Sequence, residues 1–170
     1  MNLLRSYHQI FAITIIALTI TSCTSEKINS ETLYKKHSTH NFSFAEKDSS
    51  SQLLLLAQEQ CQQGNFTQGL SHLENYLAEH TNAPYALLAK GVVLVRQGEH
   101  RKAKTMFKIL IESGSGYEDE ALWETAMVYL KQGFPQAGIY NLQQVSPEFN
   151  RYKEAQELMK KLRVLLNEKN

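Results

Sequence analysis

The sequence predicts an all-α fold of stacked helix pairs, and three recurring features support that prediction. Glycines recur at intervals of 34 and 35 residues, at Gly64, Gly98 and Gly133. In each case a small residue stands seven positions before the glycine and another small residue stands five positions after it. A large apolar residue follows four positions after the second small residue. These companions are Ala57, Gly69 and Leu73, then Gly91, Ala103 and Phe107, then Ala126, Gly138 and Leu142. A period of this length with helical spacing inside it indicates repeated helix–turn–helix units, which serve more often as binding surfaces than as catalysts.

The first 22 residues have the pattern of a secretory signal. They carry one charged side chain, Arg5, and then an apolar run from Ile10 to Ile20. This order matches a basic n-region followed by an h-region of about 7–15 residues. The alternative is an uncleaved membrane anchor over residues 6–25, but the serines and threonines in that window make it a poor membrane span.

The apolar run ends in Ile20-Thr21-Ser22-Cys23, and here the segment resembles a bacterial lipoprotein signal. The resemblance implies that residues 1–22 are removed and that Cys23 is joined to diacylglycerol. Two or three acyl chains anchor a protein firmly, because each buried CH2 contributes about 0.8 kcal/mol. Thr24 stands where an aspartate would favour retention in the inner membrane. The resemblance therefore implies an outer-membrane lipoprotein of a Gram-negative bacterium that faces the periplasm, with inner-membrane anchoring as the alternative.

Residues 23–48 form a polar stretch in which no helical or alternating period persists. We therefore predict a flexible, lipidated tether between the membrane and the folded body. A flexible chain of about 25 residues has a root-mean-square reach of about 25–30 Å.

The helical body is predicted to begin at the serine cluster that follows Asp48. Ser49 with Gln52 fits a capping box, and a first helix over about 51–63 ends at Gly64, because glycine tolerates the left-handed conformation. A second helix follows over about 67–79. Pro84 then fits the first turn of a third helix, where its missing N–H costs nothing. The second pair is predicted over about 84–97 and 100–112.

The third pair is predicted over about 119–132 and 135–145, after a loop in which Ser115 and Glu118 offer another capping box. Ser146-Pro147-Glu148 is predicted to open a last, amphipathic helix that covers the end of the array. The predicted organisation is a signal peptide (1–22), a tether (23–48), three repeats within 49–147 (about 50–83, 84–118 and 119–147) and a capping helix (148–170).

The repeated residues resemble the tetratricopeptide repeat. That family places small residues at positions 8 and 20, often a glycine near position 15, and a large apolar residue at position 24. The chain departs from the pattern at position 27, where Tyr76, Leu110 and Val145 are bulkier than usual, and Trp123 comes one position late. The resemblance implies an α-solenoid of about three repeats, with one face available to a protein partner.

In the family, the first helix of each pair lines a concave groove, and the resemblance assigns that groove to twelve residues. They are Leu54, Gln58, Cys61, Tyr85, Leu88, Val92, Val95, Arg96, Trp123, Met127, Leu130 and Lys131. Its centre is apolar, so we expect it to be covered. A partner's helix or peptide would use Trp123 as its anchor, with Arg96 and Lys131 pairing an acidic rim. The alternative is coverage by the chain itself, through Phe42 and Phe44 or a bend of the last helix.

Charge and motifs narrow the classes of function. The chain has 18 Lys and Arg residues and 17 Asp and Glu residues. Removal of the signal with Arg5 would leave equal numbers of basic and acidic side chains. Because a nucleic-acid-binding protein usually carries an excess of basic residues, no nucleic-acid partner is expected. No phosphate-binding glycine loop, nucleophile elbow or zinc-protease pattern occurs. We therefore expect no enzyme, cofactor, metal or small-molecule substrate. With Cys23 lipidated, Cys61 has no partner for an intrachain disulfide and is expected to be buried or to line the groove.

The sequence thus predicts a lipid-anchored scaffold that faces the periplasm and binds a protein partner, in envelope, pilus or secretion assembly. Two alternatives stay open. One is a structural lipoprotein that associates with its own copies. The other is a small hydrolase with Cys61 as its nucleophile, which requires a nearby base and a lowered thiol pKa.

Overall fold

The computed structural model describes residues 29–38, 48 and 50–167, and in that part of the chain it contains eight helices and no strand. The helices are α1 (Ser30–His37), α2 (Gln52–Gln62), α3 (Phe66–Glu79), α4 (Pro84–Arg96), α5 (His100–Ile111), α6 (Glu118–Lys131), α7 (Pro135–Leu142) and α8 (Tyr152–Asn167). The predicted all-α class is therefore confirmed. The predicted signal peptide, Cys23, Phe42, Phe44 and Ser49 lie outside the described residues.

Six of the helices form three pairs in chain order: α2 with α3, α4 with α5, and α6 with α7. Each pair also packs on the next, through α3 with α4 and through α5 with α6, and α8 packs on α7. The first five body helices begin and end within one residue of the predicted bounds, whereas α7 ends three residues early. Packing therefore runs mainly between helices that are neighbours in the sequence.

The three repeating glycines end the first helix of each pair with the same geometry. Gly64, Gly98 and Gly133 have φ values of 82°, 82° and 80°, which lie in the left-handed region that glycine tolerates. At the second turn, the Gly98 N–H donates to the Val95 carbonyl (3.2 Å) and the next N–H donates to the Leu94 carbonyl (2.9 Å). This is the Schellman pattern. The equivalent bonds occur at the other two turns.

Small residues lie where the helices of a pair approach each other closely. A Cβ atom on Gly91 of α4 would stand 2.9 Å or less from three ring atoms of Phe107 in α5. In the first pair Gly69 faces the Cys61 sulfur, and in the third pair Gly138 faces the Leu130 side chain. Small residues at these positions thus leave room for a side chain of the partner helix at each crossing.

Replacing Gly91 with alanine is therefore expected to destabilise the fold by about 1–2 kcal/mol. Because the added Cβ would stand 2.3 Å from the Phe107 ring, overpacking is expected in the upper part of its usual range, about 2–3 kcal/mol. The better helix propensity of alanine offsets about 1 kcal/mol of that cost. Urea denaturation followed by circular dichroism measures the difference.

Gly138→Ala is the matched control, because the added Cβ atom would stand closest to the flexible end of Leu130, at 2.9 Å. The loss of stability should therefore be smaller for this variant. A Gly91→Ala variant as stable as the wild type would contradict the close crossing of α4 and α5.

The last helix begins at Tyr152 and not near Glu148 as predicted. Residues 143–151 form turns instead, and Asp119 of α6 holds this loop by accepting hydrogen bonds from the backbone N–H and the hydroxyl of Ser146. Phe149 is buried in the same loop, with its ring centroid 6.3 Å from that of Trp123. The capping helix is shorter than predicted because these contacts with α6 hold the preceding residues outside it.

Part of the predicted flexible tether is helical, which corrects the prediction for residues 30–37. The helix α1 begins with a capping box in which Asn29 and Thr32 bond each other's backbone N–H groups. Leu33, Tyr34 and His37 are buried. Helices this short are marginal by themselves, so packing on the body explains an order that sequence periodicity does not reveal.

Candidate functional site

The helix α6 is the most enclosed element of the described structure. Within the array it packs on α5 and α7 and contacts α4. The helix α1 also packs on it. Residues 121–128 are all buried. The surface of α6 on which α1 lies is the candidate site.

The helix α1 packs on α6 through apolar and aromatic side chains. Leu33 and Tyr34 belong to the same buried apolar cluster as Trp123 and Met127. The Lys131 Nζ atom lies 5.5 Å from the centroid of the Tyr34 ring, within the range of a cation–π contact. The same ammonium group donates to the Val95 carbonyl of α4 at 3.1 Å. Lys131 thus connects α1 with the end of α4.

Charged groups from the start of α8 hold the C-terminal end of α1. The imidazole Nδ1 of His37 lies 2.6 Å from Glu154 Oε1, and Arg151 Nη2 donates to the His37 carbonyl at 3.0 Å. Arg151 also donates to both carboxylate oxygens of Glu154, at 2.7 and 2.9 Å. The guanidinium carbon lies 3.8 Å from the centroid of the Trp123 ring. We call the surface formed by Trp123, Lys131, Arg151 and Glu154 the α1 seat.

The charge state of Glu154 follows from its partners. The hydrogen bonds from Arg151 lower its pKa to about 2, with burial opposing and the His37 hydrogen bond assisting. The carboxylate is thus ionised at neutral pH and can only accept hydrogen bonds. His37 therefore carries a proton on Nδ1 in this contact.

A second carboxyl group, that of Glu124, is buried in α6 directly after Trp123 in the sequence. Burial raises the pKa of Glu124 to about 8, although the positive charges of Arg151 and Arg96 oppose the shift. Only 8% of this residue is exposed. Glu124 therefore holds its proton at neutral pH and titrates just above it.

Most residues of the predicted groove are buried in this structure. Seven of the twelve predicted groove residues are buried: Leu54, Cys61, Val92, Val95, Trp123, Met127 and Leu130. Neighbouring helices cover those of α2 and α4, and α1 covers part of the α6 surface. Gln58, Tyr85, Leu88 and Lys131 are half-buried, and Arg96 is exposed. The accessible part of the predicted groove is therefore narrow and mostly polar.

Cys61 is a packing residue in this structure. It is 2% exposed, and burial raises the pKa of its thiol to about 11. Its sulfur occupies the space that a side chain at Gly69 would need. Because a reactive cysteine needs a stabilised thiolate, this environment favours packing over nucleophilic chemistry.

Sequence reasoning missed His37, Glu124, Arg151 and Glu154. The usable signal for α1 was the Asn29–Thr32 capping box, which directly precedes the apolar pair Leu33-Tyr34. No local pattern could have placed Arg151 and Glu154 against it, because the His37 contacts join residues 114 and 117 positions apart.

Three further findings concern the whole described structure or the whole chain. None of the helices between residues 29 and 167 combines the length and the apolarity that crossing a bilayer requires. Among the residues that the structure describes, no three His, Cys, Asp or Glu side chains are grouped to hold a metal ion. The chain matches no protein-family model, no curated protein and no solved structure.

Proposed function

We propose that this protein is a lipid-anchored adaptor of tetratricopeptide-like helix pairs that holds a protein partner at the bacterial envelope. In this proposal Cys23 carries the lipid, the helix pairs face the periplasm, and the outer membrane is the site of anchoring. Assembly of pili, secretion systems or outer-membrane proteins is the class of process that such an adaptor serves. This last step rests on analogy with anchored helical-repeat proteins.

Two features support the helical-repeat part of the proposal. The Schellman turns recur at Gly64, Gly98 and Gly133. A small residue also lies at a close helix crossing in each pair, at Gly69, Gly91 and Gly138. The turns recur with the 34- to 35-residue period, and every pair has a small residue at its crossing. This combination is typical of stacked repeats whose faces bind proteins.

The main support for the proposed binding function is the α1 seat. A helix of eight residues lies on α6, and its buried side chains are recognised by an apolar cluster, a lysine and an Arg–Glu pair. Grooves that accept short amphipathic helices use the same combination of apolar anchors and polar ends. The binding surface of this protein is thus suited to a helix.

The lipid anchor is tested by Cys23→Ser in the full chain, expressed in a Gram-negative host. We expect the wild-type protein to sediment with outer membranes and its N-terminal peptide to carry the mass of an acylated cysteine. The variant should lose both properties and keep its helicity. A wild-type protein with an unmodified Cys23 would contradict the anchor.

The adaptor role is tested in the same cells with a photo-crosslinking residue. At the exposed Arg96 position it should yield a discrete crosslinked species, whereas at Val164 of α8, which is 51% exposed, it should not. Equal crosslinking from both positions would indicate non-specific contact and would count against the adaptor.

A further inference from the structure

The helix α1 packs as a separate unit on a distant part of the chain. Its principal packing partner in the described structure is α6, and its polar contacts go to Arg151 and Glu154 at the start of α8. Its N-terminal end is capped by its own Asn29 and Thr32. The helix pairs therefore pack on one another without α1 between them.

The contacts of α1 describe the kind of segment that fits the seat. An aliphatic side chain (Leu33) enters the apolar cluster, and an aromatic ring (Tyr34) lies beneath Lys131. Three positions later, His37 offers its carbonyl to Arg151 and its imidazole to Glu154. A guanidinium at the C-terminal end of a helix also complements the negative end of the helix dipole. The seat thus recognises the last turn of a helix by shape and by charge.

The docked helix is expected to open more readily than the body of helix pairs. Eight residues are too few for a stable isolated helix, so α1 is expected to lose its order when it leaves the seat. Three of its side chains are buried, and Lys35 and Lys36 on its outer side are exposed. Short segments with few buried contacts open at a lower free energy than the core.

We infer that α1 is an internal ligand of the seat, displaced by a partner's helix that ends in an aliphatic residue, an aromatic residue and, three positions later, a hydrogen-bond donor. The inference rests on the proposed adaptor function and adds its regulation. With α1 docked the seat is closed. With α1 released, Trp123, Lys131 and the Arg151–Glu154 pair become available to the partner.

The single tryptophan of the chain makes the release measurable. Trp123 is 1% exposed, and both His37 and Arg151 lie against its ring. In the full chain, Leu33→Ala with Tyr34→Ala is expected to red-shift the Trp123 emission and to increase its quenching by acrylamide. Lys35→Ala with Lys36→Ala is the matched control and should change neither. An opened variant with wild-type emission and quenching would overturn the inference.

Recognition in trans is tested with a synthetic peptide of residues 29–38. We expect it to restore the wild-type emission of the opened variant and to bind that variant at least about tenfold more tightly than the wild-type chain, whose seat is occupied. The same peptide with Tyr34→Ala and His37→Ala should not bind. Absence of binding to the opened variant, or equal binding to both chains, would overturn the inference.

Hydrogen exchange on the unmodified chain provides a second route if the double variant unfolds. The amides of α1 should exchange earlier than those of α6, and excess peptide should accelerate the exchange of α1 alone. If the amides of α1 and α6 exchanged their hydrogens at the same rate, the inference would be overturned. A domain-swapped wild-type dimer, in which each copy docks its α1 on the other copy, would also overturn it. These measurements need no membrane or partner, so their failure leaves the Cys23 and crosslinking results standing.

Discussion

Replacing Trp123 with alanine is expected to lower the free energy of unfolding by about 3–5 kcal/mol, the range for truncating a buried aromatic side chain. Trp123 is 1% exposed and lies against Phe149, His37 and Arg151. Its removal would leave a cavity where α1, α6 and the loop before α8 meet. Chemical denaturation followed by circular dichroism measures the loss.

Tyr140→Ala is the control for this prediction, because Tyr140 is 66% exposed and its truncation should change stability by no more than about 0.5 kcal/mol. The result separates two interpretations of Trp123. A Trp123 side chain that anchored only a partner, in a groove left open by the chain itself, could be truncated with little loss of stability. A Trp123→Ala variant as stable as the wild type would therefore contradict the buried position and favour the open groove.

Replacing Glu124 with glutamine is expected to stabilise the protein at pH 8 by on the order of 1–3 kcal/mol and to flatten its stability between pH 5 and pH 8. Burial raises the pKa of Glu124 from 4.5 to about 8. Between these two values the folded protein holds a proton that the unfolded chain has released. The stability from the neutral carboxyl is therefore fully present below pH 4.5 and is lost as the pH rises to 8.

Two other titratable groups, Glu154 and His100, also make the stability depend on pH. The pKa of Glu154 is lowered to about 2, so the stability it contributes is lost only as the pH falls below about 4.5. Burial lowers the pKa of His100, which makes stability rise with pH near neutrality, the opposite direction. Comparing the wild type with Glu124→Gln at each pH therefore isolates Glu124.

Thermal or urea unfolding at several pH values measures the effect, and Glu157→Gln on the exposed side of α8 is the control. If Glu124→Gln and the wild type were equally stable at both pH 5 and pH 8, Glu124 would be ionised and well solvated in the folded state. That result would contradict the burial of Glu124 in α6.

The helix pairs could be predicted closely because their signals are local. A glycine that ends a helix, a proline in a first turn and small residues at a fixed spacing act within a few positions of the chain. The turns at Gly98 and Gly133 form where the sequence predicts them. The start of α8 was wrong by four residues because Asp119, 27 positions earlier, holds Ser146 outside the helix.

The candidate site could be predicted only in part. The resemblance assigned Trp123, Met127 and Lys131 to one surface, and α1 lies on that surface. Which residues are accessible could not be predicted, because the burial of Trp123 depends on α1 and on the loop before α8. Neither of these lies near Trp123 in the sequence.

The all-α class, the three helix pairs and the glycine turns between their helices follow from the amino-acid sequence, since each depends on backbone preferences and on a period within one stretch of chain. The helix at residues 30–37, its position on α6 and the burial of Glu124 follow from the packing of distant segments. An eight-residue helix and a buried carboxyl group depend on neighbours that lie elsewhere in the chain.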